Sequence, residues 1–264
     1  MRLAQHGRQN VNSDLLALES IDLGSLQEVA DLQRRFDRKY LLPVDRLPEL
    51  LATLQPGLRV LEVADVRQTD YTSVYFDTPD LRTFRDHLKR RRRRFKVRTR
   101  QYGDPRTAML EVKCKGRRGQ TIKHRWPHPG VSPAVLGSEG HHRVADAIDA
   151  QYGLTIPASL RPTAVIRFSR ITLVRPQFGE RITIDLDLSV EVAGRTTLLG
   201  TNHAIVETKQ PRRRGRSSTA LSTLGLRPSQ ISKYCLGVVA RYPQVRGNPW
   251  LPVLRQLQGG AAGS

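Results

Sequence analysis

Lys96, Arg98 and Arg100 alternate with Phe95, Val97 and Thr99 in RRRRRFKVRTR, the segment from Arg90 to Arg100. Successive side chains of a strand point to opposite faces, so this spacing sets three cations side by side on one face. The pattern recurs with Glu111, Lys113 and Lys115 in LEVKCK, and with Lys123 and Arg125 in IKHRW. It recurs again with Arg181, Thr183 and Asp185 in RITIDLDL, and with Glu207 and Lys209 in VETK. Such strands laid side by side make a basic surface, and a closed sheet of them makes a basic lumen. Like charges opposite one another destabilise a sheet, so the face needs an anion or interspersed carboxylates. Nucleic acid or a chain of phosphates would supply the anion. Glu111, Asp185, Asp187 and Glu207 would supply carboxylates, either as charge balance or as ligands of a divalent metal, since hard cations take carboxylate oxygens and bridge phosphates. Cation clamps and metals are what phosphoryl transfer uses, because that chemistry is mostly positioning and charge stabilisation.

Composition agrees with an anionic partner. The 264 residues hold 44 Lys plus Arg against 24 Asp plus Glu, a formal charge of +20. Such an imbalance speaks about partners rather than fold. No run of about 18 apolar residues predicts a membrane-spanning helix, and no signal peptide is evident at the start; a cytoplasmic location is expected. Cys114 and Cys235, the two cysteines, are expected to be reduced packing residues. No Cys/His spacing predicts a zinc site, and no histidine stands in a hydrolase-like spacing with a nucleophile and an acid. Nucleic-acid binders interleave aromatics with their cations; aromatic content is 6% and the cationic faces read as poor in rings, so nucleic acid is not favoured.

Strands are expected at 34–42, 58–63, 69–77, 94–102, 107–115, 119–126, 163–174, 180–192 and 203–209, joined mostly by short turns. Gly103-Asp104-Pro105 and Gly116-Arg117-Arg118-Gly119 read as turns. Helices are expected at 25–35, 44–54, from Thr78-Pro79-Asp80 to Leu88, at 144–152, 216–225 and 230–241. Residues 1–24 read as a disordered segment, 25–242 as one domain, and 243–264 as a flexible tail. Tyr71, Tyr75 and Phe76 read as core.

The ordered strings RFDRKYLL, TSVYFDTPDL, FKVRTRQY, LEVK, IKHR, RITIDLDL, VETK and ISKYCLGV resemble the VTC (vacuolar transporter chaperone) domain, a branch of the CYTH or triphosphate-tunnel superfamily. The resemblance runs from about Arg34 to Arg241, most of the chain. It implies an α+β fold with a closed antiparallel barrel, a tunnel lined by basic and a few acidic residues, and peripheral helices. Catalytic eukaryotic members make inorganic polyphosphate from the ATP γ-phosphate with a divalent metal, Mn²⁺ or Mg²⁺; other tunnel enzymes hydrolyse triphosphate or cyclise ATP. By resemblance, Lys39 holds phosphate, and Arg98 and Arg100 are the paired central arginines. Lys113 and Lys123 are basic residues of the next two strands. Arg170 is a further strand arginine, Glu207 a metal ligand, and Lys233 the lysine of the Ser-Lys-Tyr motif. Arg125, Arg181 and Lys209 complete the expected phosphate-binding face. Two departures stand out. Asp37 replaces the family's usual glutamate, and His87 with Arg90 to Arg94 replaces a less basic segment.

The resulting expectation is a metal-dependent phosphotransferase, a polyphosphate polymerase with ATP and polyphosphate as partners. Arg98, Arg100, Lys113, Lys123 and Arg170 would clamp the phosphates. A tunnel triphosphatase using water, or a non-catalytic polyphosphate binder, are the alternatives. Coupled translocation of product would need a separate membrane partner.

Overall fold

A computed structural model describes residues 13–29, 35–116, 120–128, 132–156, 159–242 and 244–259. The strands are β1 (Glu19–Ile21), β2 (Phe36–Pro43), β3 (Arg59–Leu61), β4 (Gln68–Asp77), β5 (Phe95–Tyr102), β6 (Asp104–Lys115), β7 (Thr121–Pro127), β8 (Arg161–Arg175), β9 (Glu180–Val192), β10 (Arg195–Leu198) and β11 (His203–Gln210). The helices are α1 (Leu23–Val29), α2 (Leu47–Leu54), α3 (Arg82–Leu88), α4 (Gly137–Tyr152), α5 (Arg216–Thr223), α6 (Lys233–Arg241) and α7 (Leu251–Gly259).

The fold is α+β, built on an 11-stranded sheet whose main path runs β2-β11-β9-β8-β4-β5-β6-β7, every neighbouring pair antiparallel. The order ends at β2 and β7, which do not pair with each other among the described residues. This corrects the expected closed barrel: backbone hydrogen bonds leave a seam. The sheet nevertheless curls. In a flat sheet β11 and β6 would lie about 24 Å apart at the usual strand spacing. Yet Glu207 on β11 acts on Lys113 of β6, Lys39 on β2 acts on Lys96 of β5, and Asp37 acts on Lys115. Lys39 of β2 and Lys96 of β5 also donate to adjacent residues, the Ile231 carbonyl and Ser232 Oγ, each at 3.0 Å, so the two halves of the path face one another.

Period-two alternation in these strands divides the sheet into two faces, and the outer one is apolar. Tyr40, Leu42, Ile171, Leu173, Ile182, Ile184 and Val206 pack with leucines of α2 and with Leu221 of α5. Val74, Phe76, Val97, Leu110, Val112 and Cys114 pack under Val144, Ala147 and Ile148 of α4. On the inner face, one end is apolar too: Leu41, Ile166, Leu188, Val190 and Ile205 pack against α6 and α7. Gly237 allows that approach, since a Cβ there would lie 2.5 Å from Val190 Cγ1.

Local chemistry sets the helix ends. Gly153, at φ 62°, ends α4 and donates its N–H to the Asp149 carbonyl. Buried Glu180 accepts from the Arg216 and Ser217 N–H groups that open α5. Ser232 caps α6 by accepting from Cys235 N–H.

Several expected boundaries move. α3 begins at Arg82, after a turn through Thr78 to Leu81, because Asp77 rather than Pro79 organises its start. α4 begins at Gly137, ahead of the expected Val144. β6 begins at Asp104, so the first hairpin turns on Gly103, at φ 67°. Residues 13–24, expected to be disordered, hold a helical turn at 13–16 and β1, with Leu15 and Leu18 buried. The expected loose tail instead forms α7, which buries Trp250, Val253, Leu254 and Leu257. Trp250 lies 5.5 Å from Phe84, ring to ring. Residues 1–12, 30–34, 117–119 and 260–264, on which parts of the expected disordered segment, first helix, second turn and tail fall, lie outside the described residues. Both cysteines are buried and unpaired.

Candidate functional site

Strand register gathers the expected cations on the inner face. Lys39 faces Glu207, which faces Thr183; Lys209 faces Arg181; Arg170 faces Asp185. On the other half Tyr75, Arg98, Glu111 and Arg125 form one row across four strands, and Lys96, Lys113 and Lys123 form the next. Lys233 joins them from the first turn of α6. Asp187 is the exception and a correction to its expected place. A bulge shifts the β8–β9 register between Arg167 and Ser169, and Asp187 sits in it at φ 54°. Beyond it the alternation flips, so that Leu188 and Val190 take the inner positions and Asp187 drops out of the row.

Two carboxylates are buried knots of cations. Glu111 Oε2 accepts from Arg98 Nε at 2.7 Å and Nη2 at 2.5 Å, while Oε1 meets Lys123 Nζ at 2.5 Å and accepts from Tyr102 at 2.9 Å. Asp185 accepts a two-pronged contact from Arg170, Nε to Oδ1 at 2.5 Å and Nη2 to Oδ2 at 2.8 Å, and is also bonded by Lys233. Burial pushes both carboxyls up, but the adjacent cations outweigh it and hold both well below the usual carboxylate range. Glu207, 2.9 Å from Lys209 Nζ, is likewise driven up by burial and held well down by Lys209, Lys39 and Arg170.

The remaining cations differ. Among the described residues, Lys39, Lys96, Arg100 and Lys113 have no carboxylate at ion-pair distance. Arg100 is 7% exposed, and its Nε donates to Ser73 Oγ at 2.9 Å. Burial and then Arg98 bring its guanidinium down to about 10. Arg98 and burial hold the Lys113 ammonium well below the ordinary lysine value. Lys96 donates to Ser232 Oγ at 3.0 Å, and burial lowers it too. Burial likewise lowers Lys233 to about 8, against the opposing pull of Asp185.

Aromatic rings lie among these cations, against the expectation of a ring-poor face. Arg100 lies 5.2 Å from the Tyr71 ring centre and 5.7 Å from that of Phe168; Arg170 lies 4.9 Å from Tyr71, and Lys233 Nζ 4.3 Å from Phe168. Tyr75 accepts from Arg98 Nη1 at 2.8 Å and stacks on Tyr234. Burial pushes the Tyr75 phenol up, but Arg98, Arg100 and Lys96 bring it down to about 8. Asp77, fully buried, accepts from Thr83 and Phe84 N–H and from Tyr234 O–H. It thereby ties α3 and α6 to β4. Tyr75 and Asp77 are site residues beyond the expected set, and Lys96, expected on the cationic face but not among the phosphate-binding residues, joins them. Lys96 was readable from the alternation of β5, and Tyr75 and Asp77 from the string YFD.

Among the described residues, no three His, Cys, Asp or Glu side chains group to hold a metal ion. Glu111 and Asp185 are spent on cations. Glu207 is the inner carboxylate with a single close cation, and a donor set of one carboxylate suits a hard cation carried mainly by phosphate oxygens. Asp37, paired with Arg35 at 2.9 Å and exposed, adds none. No described helix is long and apolar enough to cross a membrane.

No curated protein matches the chain. Among solved structures, a Bacillus halodurans protein described as a candidate adenylate cyclase aligns at 14% identity, over 79% of this chain and 96% of that one, with a TM-score of 0.48. A Hippeastrum protein described as having a dominant triphosphatase activity aligns at 15% identity, over 78% and 96%, with a TM-score of 0.46. The PH1819 protein of Pyrococcus horikoshii aligns at 12% identity, over 78% and 99%, with a TM-score of 0.43. The model of the VTC domain matches residues 34–242, from the start of β2 past the end of α6, and so takes in every residue of the inner cationic face: the chain belongs to the VTC domain family.

Proposed function

We propose that the inner face binds the triphosphate of ATP and that the chain is a polyphosphate polymerase, passing the γ-phosphate to the end of a growing phosphate chain within a tunnel-like groove. The observation that carries this reading is the set of cations lacking a carboxylate. A buried, unpaired charge is strongly unfavourable. Buried Arg100 and the half-buried Lys39, Lys96 and Lys113 converge without carboxylate partners among the described residues, so an anion with several oxygens would complete the site. A linear phosphate chain has that chemistry, and membership of the VTC family supports it over other anions.

The paired cations have a different task. Glu111 and Asp185 fix the Arg98 and Arg170 guanidiniums in one orientation before substrate arrives, which is the preorganisation that electrostatic catalysis uses. Arg98, Arg100 and Arg170 would hold the transferring phosphoryl group, and Lys39, Lys96, Lys113, Lys123 and Lys233 the flanking phosphates. Arg125, about half exposed, would contact phosphate nearer solvent, and Arg181 and Lys209, opposite one another on β9 and β11, would extend the cationic wall beside Glu207. The attacking oxygen would come from the acceptor phosphate, so no protein nucleophile is needed. A Mn²⁺ or Mg²⁺ ion held by Glu207 and phosphate oxygens would neutralise charge on those oxygens.

The test is incubation with ATP and Mn²⁺, with products resolved on a gel. Long-chain polyphosphate is the expected product. Free phosphate alone would make the chain a triphosphatase, with water as acceptor in the same clamp, and no turnover with tight tripolyphosphate binding would make it a binding protein.

A further inference from the structure

The cation row of β5 and β6 does not stop inside the groove. Arg100, Arg98 and Lys96 share a face with Arg94, which directly precedes β5. The Arg94 carbonyl accepts from Lys115 N–H, and Arg94 helps lower the Lys115 ammonium, after burial. Arg94 then opens onto the turn Lys89 to Arg93, all exposed. That turn is built rather than loose. Arg90, at φ 50°, donates to Gln230 Oε1 at 3.1 Å, on the loop that leads into α6. Arg91 pairs with Asp86 at 3.1 Å, and its N–H reaches the Asp86 carbonyl. Arg94 Nη1 donates to the Arg91 carbonyl at 2.5 Å.

Carboxylates are sparse along this outward path: Asp86 pairs with Arg91, and Asp37 acts on Lys115 from beyond ion-pair distance. Among the described residues no carboxylate lies at ion-pair distance from Lys96, Lys113, Arg94, Lys115, Arg93, Arg92 or Lys89. The deep part of the row is balanced by Glu111, while in the outer part Asp86 offsets Arg91 alone. The six residue-to-residue steps from Arg94 to Arg100 span about 20 Å of strand. A triphosphate held at Arg98, Arg100 and Arg170 ends well short of the turn, whereas a longer chain reaches it.

We infer that the turn Lys89 to Arg93 is a docking surface for the distal part of a long linear polyphosphate whose end lies in the groove. This rests on the triphosphate reading above and extends it to a surface outside the clamp. The aromatic rings lie deep, against Arg100 and Arg170, and the turn itself carries none. Base stacking therefore has no platform there, which favours polyphosphate over single-stranded nucleic acid.

The experiment uses the full chain and a Lys89→Gln/Arg92→Gln/Arg93→Gln variant, replacing side chains that make no ion pair among the described residues, with its melting temperature measured as a check on folding. Binding of tripolyphosphate, long-chain polyphosphate and single-stranded DNA of matched charge is measured at low and high salt. The variant is expected to bind tripolyphosphate like the parent and to lose roughly fivefold in affinity for long-chain polyphosphate at low salt, the scale of a few exposed charge contacts. That loss should vanish near 1 M salt, where screening acts within about 3 Å. Unchanged long-chain affinity, or an equal loss for tripolyphosphate, overturns the docking surface and leaves the clamp standing. An equal loss for DNA makes the turn a general polyanion surface and also overturns it. Failure of the parent to bind tripolyphosphate at all would refute the clamp itself.

Discussion

At the scale of single residues, the site separates cations that are pinned from cations that wait. Arg100 is the clearest of the second kind: buried, bonded to Ser73 and rings, with no carboxylate partner among the described residues. Arg100→Met should weaken tripolyphosphate binding roughly tenfold to a hundredfold, the scale of a hydrogen bond to a charged group. It should not lower the melting temperature, since an unpaired buried charge is removed. Calorimetry and thermal denaturation check both, and wild-type affinity would place the clamp elsewhere. Lys233 predicts a pH dependence. Its folded-state value of about 8 lies below the ordinary 10.5. As pH falls between those values the unfolded chain takes up the proton first, so this residue's contribution to stability declines from pH 10.5 down to about 8. Anion binding runs the opposite way, because it needs the charge: affinity should fall as pH rises through 8. A titration of wild type beside Lys233→Met cancels the ligand's own ionisation, and identical curves would remove Lys233 from the site. Period-two spacing made most of this face legible. It misplaced Asp187, because a bulge flips alternation without a signature as plain as glycine or proline. The rings were missed because Tyr71 meets Arg100 and Arg170, and Phe168 meets Arg100 and Lys233, across elements whose neighbours no local pattern reveals; Phe168 with Arg170, two apart on β8, is the contact that period two alone could show.

At the scale of elements, α6 matters most, since it fills one end of the groove and carries Ser232, Lys233 and Tyr234 to it. Its seat depends on Gly237, where a Cβ would meet Val190 at 2.5 Å and Ile166 at 3.4 Å. Gly237→Ala should destabilise the fold by about 1–3 kcal/mol, the usual range for overpacking. It should also weaken tripolyphosphate binding by shifting Lys233. Adding Val190→Ala should restore both, read by melting temperature and titration calorimetry; no rescue would mean that the helix is not held by this contact. Nine strands were legible to within a few residues because β-branched runs and turn residues bound them, while the short strands β1 and β10 were not. α7 was not. Its segment is rich in glycine and alanine only at the far end, while Trp250, Val253, Leu254 and Leu257 find burial through distant partners such as Phe84 and Gly200.

At the scale of the whole molecule, a +20 chain concentrates cations on the inside of a curled sheet, and on the proposed function a bound anion would relieve their mutual repulsion. Tripolyphosphate at a hundredfold its dissociation constant should add about 2.7 kcal/mol, which for a chain of this size raises the melting temperature by roughly 5–10 °C. Sodium chloride of equal ionic strength should reproduce little of that gain, because screening alone does not fill the groove. Equal shifts from both would reduce the effect to general screening. Curling was implied by the cationic alternation. Closure was not legible, since whether β2 and β7 bond across the seam depends on the tilt and twist accumulated over the entire path.

The burial of Trp250 gives the molecule a native optical reporter. Of the two tryptophans, Trp126 stacks on His124 on the edge strand β7, partly exposed, while Trp250 is sealed among α3, α6 and α7 at 2% exposure. With Trp126→Phe, emission comes from Trp250 alone and should be blue-shifted. A red shift on heating that precedes the loss of far-ultraviolet circular dichroism would show the α6–α7 end opening before the sheet melts. Coincident transitions would show that end and sheet unfolding as one cooperative unit.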